Sequence, residues 1–306
     1  MGEISKRTGE LGEDAAVRLL HRIGWVNGQE NVSIPCNDTT KHPGRESHGI
    51  DYLKLYPCPL IQQRLVHGVV SIKATKGYDK HPNSKFKSHL KELSDICNCY
   101  NRSDQKGEIS KNFLDEGVIE SESIVGILIW LSDLESDEDR DLKSETSTAQ
   151  IDDLEDFQFE ASYLVDLKQA EFLWQILSHA DQRFTGWEFL YIETGLNFRE
   201  DIKIKSGSIL PVEYINSTVI PMKYSTETGE HIILYTGDRY DEEDLKKYVG
   251  MANKLSSSFA GTIEILFPDY KTNGNENSVR KVLDFFSDQS TSRKIRVSSY
   301  ADKLIQ

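Results

Sequence analysis

The sequence contains little cysteine and no long apolar run, and each shortage excludes a class of protein. Four cysteines in 306 residues do not make a disulfide framework. Cys97 and Cys99 are separated by one residue, whereas the cysteines of a zinc knuckle are separated by two to four. Free thiols are therefore expected, and zinc binding is the less favoured alternative. No apolar run approaches the roughly 20 residues of a membrane helix, and residues 1–6 lack the apolar stretch of a signal peptide. We therefore expect a cytoplasmic protein without a membrane segment.

Nucleotide-binding signatures are missing as well. The sequence has no Walker loop, no glycine-rich dinucleotide fingerprint and no internal repeat. Thr236-Gly237-Asp238 follows a strand-like run and precedes a helical one, where α/β folds often bind ligands. A single glycine is more typical of an ordinary turn. The length of 306 residues is sufficient for two domains.

The acidic excess is concentrated in one segment. The formal net charge of −14 argues against a nucleic-acid partner, because phosphate binding depends on cations. However, residues 133–160 hold twelve acidic and two basic residues, so the rest of the chain carries only −4. We interpret this segment as an acidic insertion that forms a solvated, mobile loop. The alternatives are a DNA mimic that shields a basic groove and a docking site for a basic partner.

A basic run lies between residues 73 and 91, which contain six lysines and one acidic residue. The usual meaning of such a run is a solvated helix face. The run directly follows the strand-like segment that contains Lys73, whose chemistry is described next, and this position favours contact with phosphates instead. The candidate DNA-binding residues are Lys76, Lys80, Lys85, Lys87 and Lys91.

Two strand-like segments carry the residue types that cleavage of a phosphodiester requires. Asp51 lies in the first, within His48-Gly49-Ile50-Asp51-Tyr52-Leu53, and Lys73 ends the second, within Val69-Val70-Ser71-Ile72-Lys73-Ala74. Side chains alternate along a strand, so Ser71 and Lys73 share one face and point together toward Asp51. A carboxylate can ligate a Mg²⁺-class cation, and an ammonium can orient the attacking water.

An acid on the first helix completes this arrangement. Ala16, Leu19, Leu20 and Ile23 recur at the helical period, and Glu13 extends that apolar stripe toward the start of the helix. A carboxylate on a buried face needs a metal or a bound water. Glu10, one turn earlier, is the alternative.

At these residues the sequence resembles the PD-(D/E)XK nuclease superfamily, which includes restriction endonucleases, archaeal Holliday-junction resolvases and many phage-defence nucleases. The resemblance covers about residues 8–100. It implies that Glu13 (or Glu10) is the first-helix acid, that Asp51 and Lys73 are the Asp and Lys of the motif, and that Mg²⁺ (or Mn²⁺) is held by Asp51, Glu13 and the carbonyl of Ile72. Ser71 occupies the (D/E) position. A hydroxyl is a weaker ligand than a carboxylate, so this site would need another acid.

We expect an α/β fold: a restriction-endonuclease-like mixed sheet flanked by helices, followed by a smaller C-terminal α/β domain. Residues 1–204 are predicted as the nuclease-like domain with the acidic insertion, and residues 205–306 as a recognition or assembly domain. In the first, the patterns indicate an outer strand at 31–35, strands at 69–75 and 124–131, a helix at 84–100, a helix from Leu164 to Leu177 and a strand at 187–192.

The remaining patterns describe the C-terminal domain. Residues 205–208 are predicted as a linker, 212–224 and 231–235 as a hairpin, 242–255 as a helix, 262–267 as a strand, 272–277 as a Gly/Asn-rich loop, 279–286 as a helix and 294–298 as a strand.

Two functional hypotheses follow, and a third possibility is a structural α/β scaffold with a chance motif, which would show no salt-sensitive DNA binding. The first is a metal-dependent DNA endonuclease that acts against phage or plasmid DNA in a multi-subunit complex, since the layout is also similar to nuclease subunits of two-gene prokaryotic phage-defence operons. Its partners would be DNA and a second protein subunit, or further copies of itself. The second is a catalytically inactive, nuclease-fold DNA-binding or sensing subunit, for which Ser71 is the support.

Overall fold

The computed structural model describes residues 2–114, 119–151, 159–197, 199–201, 203–227, 229–255, 261–286 and 294–301. The chain forms two compact units. The first comprises Met1–Glu171 and Gly195–Lys203, and the second comprises Phe172–Thr194 and Ile204–Gln306. Among the described helices, none is both long and apolar enough to cross a membrane.

The first unit is built on a five-stranded mixed sheet. Its elements are α1 (Gly2–Arg22), β1 (Gln29–Pro35), β2 (Ser47–Pro57), β3 (Arg64–Thr75), α2 (Asn83–Asn101), α3 (Asp104–Leu114), β4 (Ser121–Ser132), α4 (Leu142–Glu145) and β5 (Ala161–Asp166). The strand order is β1-β2-β3-β4-β5, antiparallel from β1 to β3 and parallel from β3 to β5. This confirms the predicted mixed sheet flanked by helices.

Helices cover both faces of this sheet, which is why β3 and β4 are buried along most of their length. On one face, α2 packs its buried stripe against β4 so closely that a Cβ at Gly126 would lie 3.1 Å from the Leu93 side chain. On the other face, α1 approaches β3, and a Cβ at Gly12 would lie 2.3 Å from the Cβ of Ala74. The central strands thus place their polar residues at defined points between two helices.

The second unit contains a six-stranded sheet. Its elements are β6 (Glu188–Leu190), β7 (Ser206–Gly207), β8 (Val219–Thr226), β9 (Gly229–Thr236), α6 (Glu242–Leu255), β10 (Ile263–Phe267), α7 (Thr272–Phe285) and β11 (Ile295–Ser299), and α5 (Leu167–Arg183) crosses the sequence boundary between the units. The strand order is β11-β10-β9-β8-β6-β7. The strands β9, β10 and β11 are parallel, and the predicted hairpin is β8–β9.

Several helix and strand assignments made from the sequence differ from the structure. In the predicted hairpin, the first strand begins at Val219 and not at Val212, and Val212–Tyr214 form a 3-10 helix. Leu164 lies in β5, and α5 begins at Leu167 because the Asp166 carboxylate accepts a hydrogen bond from the Gln169 backbone N–H and caps the helix. The strand predicted at 187–192 pairs in the second sheet, as β6, with β7 from the predicted linker. Residues 272–277 begin α7 and do not form a loop. α3 was not predicted.

The acidic segment is not a mobile loop over residues 133–151. Asp137 is buried and accepts hydrogen bonds from the backbone N–H of Tyr78 at 2.8 Å and from the Ser132 hydroxyl. The Arg140 guanidinium donates to the Glu145 carboxylate and to the carbonyls of Tyr78 and Asp79. One arginine therefore neutralises and orders part of the acidic run. Residues 152–158 of the predicted loop lie outside the described residues.

Candidate active site

Asp51 and Lys73 lie on the same face of the sheet. The antiparallel pairing of β2 with β3 places Tyr52 opposite Val70, so Asp51 lies across from Ser71, and side chains of opposed residues share a face. The Asp51 carboxylate accepts a hydrogen bond from the Ile72 backbone N–H at 2.6 Å and another from the Ser71 hydroxyl. Asp51 is thereby fixed against the strand that carries Lys73.

The Ile72 backbone faces the Asp51 carboxylate. The N–H and C=O of one residue in a strand point to the same edge, so the carbonyl of Ile72 is directed toward the β2 side, where Asp51 lies. Its side chain is buried. The geometry is consistent with the carbonyl as an additional oxygen ligand.

Glu92 on α2 joins the site and was missed by the sequence analysis. Its carboxylate lies 2.9 Å from the Lys73 ammonium, and its charge acts on Asp51. Glu92 is 19 residues after Lys73 in sequence and sits beside the apolar stripe of α2, so no motif spacing indicated it. The useful signal was indirect: with Ser71 in the (D/E) position, the second acid had to come from another element.

The electrostatics of the site reflect two carboxylates and one ammonium in a partly buried space. Burial raises the pKa of Asp51, and the hydrogen bond from Ile72 and the charge of Lys73 offset only part of this effect, while Glu92 adds to it. Burial also raises the pKa of Glu92, but the hydrogen bond and charge of Lys73, with Arg45 and His89, outweigh it, so this pKa lies below its ordinary value. Ionisation is therefore favoured at Glu92 and disfavoured at Asp51, relative to the same groups in water.

His89, one turn before Glu92 on α2, lies close enough to this cluster for the charges of Lys73 and Glu92 to act on it. Burial, with a smaller contribution from the charge of Lys73, lowers its pKa to about 4, so its ring is neutral at pH 7. Its ring stacks edge-on against Trp130, with centroids 5.1 Å apart. His89 therefore packs against the sheet while facing the site.

Glu13 is exposed on α1, whereas the apolar spacing predicted a buried face. The helix stripe is real, since Ala16, Leu19 and Leu20 are buried, but Glu13 lies outside it. α1 packs on the Ala74 side of β3, and Ala74 and Lys73 point to opposite faces. The structure thus brings together Asp51, Ser71, Ile72 and Lys73, whereas Glu13 lies on a helix that covers the other face of the sheet. Glu10 is exposed as well.

The predicted DNA-binding lysines follow the end of β3 and the start of α2. Lys76, Lys80 and Lys91 are exposed, Lys87 is half-buried, and Lys85 is half-buried and lies 3.7 Å from Asp79. An open cleft of about 300 Å³ is lined by Lys41, Arg45, Lys91 and Glu92 among others. A second cleft of about 500 Å³ also includes Arg45 and Glu92. Glu92 therefore lines two clefts, and the unpredicted Arg45 contributes a basic side chain to both.

Comparison with known proteins identifies the first part of the chain. A family model described as the GAPS4 protein PD-(D/E)XK nuclease domain matches residues 1–169. This range contains every residue of the cluster around Asp51. No curated protein and no solved structure matches the chain.

Proposed function

Because the chain belongs to the GAPS4 PD-(D/E)XK nuclease domain family, we propose that it is a metal-dependent DNA endonuclease. Membership confirms the resemblance to the superfamily and supports an anti-phage defence context. The observation that carries the proposal is the convergence of Asp51, Lys73 and Glu92 at one point of the sheet.

The donor set fits a hard divalent cation. Two carboxylates, Asp51 and Glu92, and a backbone carbonyl at Ile72 are the oxygen ligands that Mg²⁺ or Mn²⁺ prefers. The charge of Glu92 adds to the effect of burial in raising the pKa of Asp51, and a bound cation would relieve this repulsion between the two carboxylates. When bound, such a cation supplies an acidified water and stabilises charge on phosphoryl oxygens.

The chain's own residues then have distinct roles. Lys73 would hold the attacking water or neutralise charge at the phosphate. Ser71 positions Asp51 through its hydrogen bond and is not proposed as a ligand. Glu92 provides the acid that Ser71 cannot, and Glu13 remains a candidate outer carboxylate on α1.

The substrate and the partners are part of the same proposal. The exposed lysines at 76, 80 and 91, with Lys85 and Lys87, would contact DNA phosphates. The second unit would serve as a recognition or assembly module, through which a second protein subunit or another copy of the chain joins the complex. The proposed setting is defence against phage or plasmid DNA in the cytoplasm.

The test is incubation of the pure full-length protein with linear and circular DNA, with and without Mg²⁺ or Mn²⁺. We expect cation-dependent cleavage that is lost in Asp51→Ala and in Lys73→Ala, both still folded and still binding DNA. Lys247→Ala, on the exposed face of α6, is the control and should cleave like wild type. Cleavage retained in both site variants would overturn the assignment. Salt-sensitive DNA binding without any cleavage, with or without a partner, would establish the inactive sensing subunit instead.

A further inference from the structure

A second group of metal-ligating side chains lies outside the nuclease cluster. Cys36 follows β1, His42 lies in the loop to β2, His48 begins β2, and Cys99 is near the end of α2. One ligand atom from each of the four lies within 4.8 Å of the others. His42, His48 and Cys99 are buried, and Cys36 is half-buried. Two thiols and two imidazoles are the donor set of a structural zinc site.

The distances within this group match a tetrahedral zinc centre. The Nδ1 atom of His42 lies 3.4 Å from the Sγ of Cys36 and 3.6 Å from the Sγ of Cys99. Nitrogen and sulfur ligands at about 2.1 and about 2.3 Å from one zinc ion, separated by the tetrahedral angle, lie about 3.6 Å apart. Hydrogen bonding explains the arrangement less well, because the single lone pair of Nδ1 cannot accept a good hydrogen bond from two thiols.

The ring of His42 is oriented as a metal ligand is. Its Nε2 lies 3.1 Å from the Asp95 carboxylate, which accepts the N–H and leaves the lone pair on Nδ1, toward the two sulfurs. A carboxylate on the far nitrogen is the usual outer partner of a zinc-bound histidine. Asp95 is on α2, one turn before Cys99.

His48 supplies an independent observation. Its side chain is buried, with 3% of the residue exposed, and within the described part of the chain neither ring nitrogen has a hydrogen-bond partner. A buried imidazole without partners is costly. The rings of His42 and His48 lie edge to face, with centroids 4.9 Å apart, so His48 borders the same space. A metal ion there would satisfy the unpartnered nitrogen.

We propose that Cys36, His42, His48 and Cys99 form a structural zinc site that fastens the β1–β2 segment to α2. The site has four protein ligands and no open position, which is typical of structural zinc and not of catalytic zinc. It lies two turns along α2 from Glu92, so the zinc ion would hold the helix that carries the second acid of the nuclease cluster. The proposal does not depend on nuclease activity, because occupancy is measured on the metal itself.

The experiment measures zinc per chain in full-length protein purified without chelators, by inductively coupled plasma mass spectrometry. Wild type should carry about one zinc ion per chain, the four-ligand stoichiometry of such sites. Cys36→Ser and His48→Gln should carry almost none. Cys58→Ser is the matched control, since Cys58 is another buried cysteine outside the group, and it should retain its zinc.

Cobalt provides a second readout on wild-type protein that avoids any variant that fails to fold. After exchange of the bound metal for Co²⁺, visible d–d bands of tetrahedral intensity and a thiolate-to-cobalt charge-transfer band are expected. The proposal is overturned if wild type binds no zinc when Zn²⁺ is added, if Cys36→Ser retains the full amount, or if Cys36 and Cys99 are joined in a disulfide in the purified protein. Octahedral cobalt spectra without charge transfer would also overturn it.

Discussion

Asp51 is held in a position where its charge is unfavourable, which is typical of a functional carboxylate. Burial raises its pKa above the ordinary value. Between the pKa of the unfolded chain and this raised value, the folded protein binds more protons than the unfolded chain, so stability falls as pH rises through that window. Above it, the ionised carboxylate is a constant cost.

This cost predicts that Asp51→Asn stabilises the protein at pH 7 while abolishing cleavage. The asparagine oxygen can still accept the hydrogen bond from the Ile72 backbone N–H, and residue 51 no longer carries a charge that burial disfavours. We expect a gain of about 1 kcal/mol in the free energy of unfolding, measured by urea denaturation, and a gain that disappears at pH 3. Mg²⁺ should raise the unfolding temperature of wild type but not of the variant. A variant less stable than wild type at pH 7 would contradict the argument.

Glu92 is the residue whose role most directly tests the geometry. Glu92→Gln removes the charge that pairs with Lys73 at 2.9 Å and keeps the shape of the side chain. We expect the cleavage rate to fall about 10²-fold or more, the usual effect of removing one group that stabilises a transition state. Glu46→Gln is the control, because Glu46 lines the same 500 Å³ cleft. Equal rates for Glu92→Gln and wild type would remove Glu92 from the site.

At the scale of elements, the close approach of α1 to β3 fixes the helix that carries Glu13. Gly12 is required there, because a Cβ would lie 2.3 Å from the Cβ of Ala74. Replacement of glycine by alanine in a helix interior normally stabilises it by about 1 kcal/mol. At this position the clash makes the same replacement destabilising.

The prediction is a pair of opposite effects within one helix. Gly12→Ala should destabilise the protein by about 1–3 kcal/mol, the range for overpacking. Gly9→Ala, whose added Cβ would have nothing within 4 Å, should stabilise it by about 1 kcal/mol. Thermal and urea denaturation measure both. Two changes of the same sign would show that α1 does not pack against β3 as described.

The basic run after β3 makes a prediction about salt dependence. Each lysine that contacts a phosphate contributes about 0.9 to the slope of log affinity against log salt. Combined replacement of the exposed Lys76, Lys80 and Lys91 by alanine should lower that slope by up to about 2.7. The control replaces the exposed lysines of the second unit, Lys247, Lys271 and Lys281, and should leave the slope unchanged. Equal slopes in both variants would exclude the basic run as the DNA contact.

Sequence patterns correctly predicted the helices and strands with strong hydrophobic periodicity. They failed where contacts between distant residues determine the local structure. The helix predicted at 84–100 is α2, and the apolar run at 124–131 lies within β4. The prediction of a loop for the acidic segment was wrong over residues 133–151. There, one cation, Arg140, binds the carboxylates of Asp137 and Glu145, and composition alone does not show such a contact. β5 was missed because a short strand runs directly into a helix.

The part of the site that lies within the strands could be predicted, and the part that depends on helix packing could not. Strand alternation placed Ser71 and Lys73 on one face, and the structure has them there with Asp51. Glu92 and the group around His42 depend on how α2 lies over the sheet, which no spacing in the sequence encodes. The exposure of Glu13 depends on the rotation of α1 about its axis, fixed by the contact at Gly12.

At the scale of the whole molecule, the net charge of −14 does not by itself prevent DNA binding. At physiological ionic strength, exposed charges more than about 8 Å apart are largely screened. Part of the acidic segment is neutralised internally by Arg140. The smaller cleft beside Glu92 is lined by Lys41, Arg45 and Lys91. These three cations exceed the two carboxylates of the same lining, Glu92 and Asp95, so this cleft has a local excess of positive charge.

The two proposed metal sites have different roles, one structural and one catalytic, and the two roles can be tested together. A structural zinc centre is bound with about 10–16 kcal/mol, whereas a Mg²⁺ site with few protein ligands exchanges readily. Extended dialysis of the full-length protein into metal-free buffer should therefore remove cleavage activity and leave about one zinc ion per chain. Added Mg²⁺ should restore cleavage, and added Zn²⁺ alone should not. If zinc content and activity decline together and Zn²⁺ alone restores both, the Cys36–His42–His48–Cys99 group would be the metal centre of the reaction, and the roles assigned to Asp51 and Glu92 would be wrong.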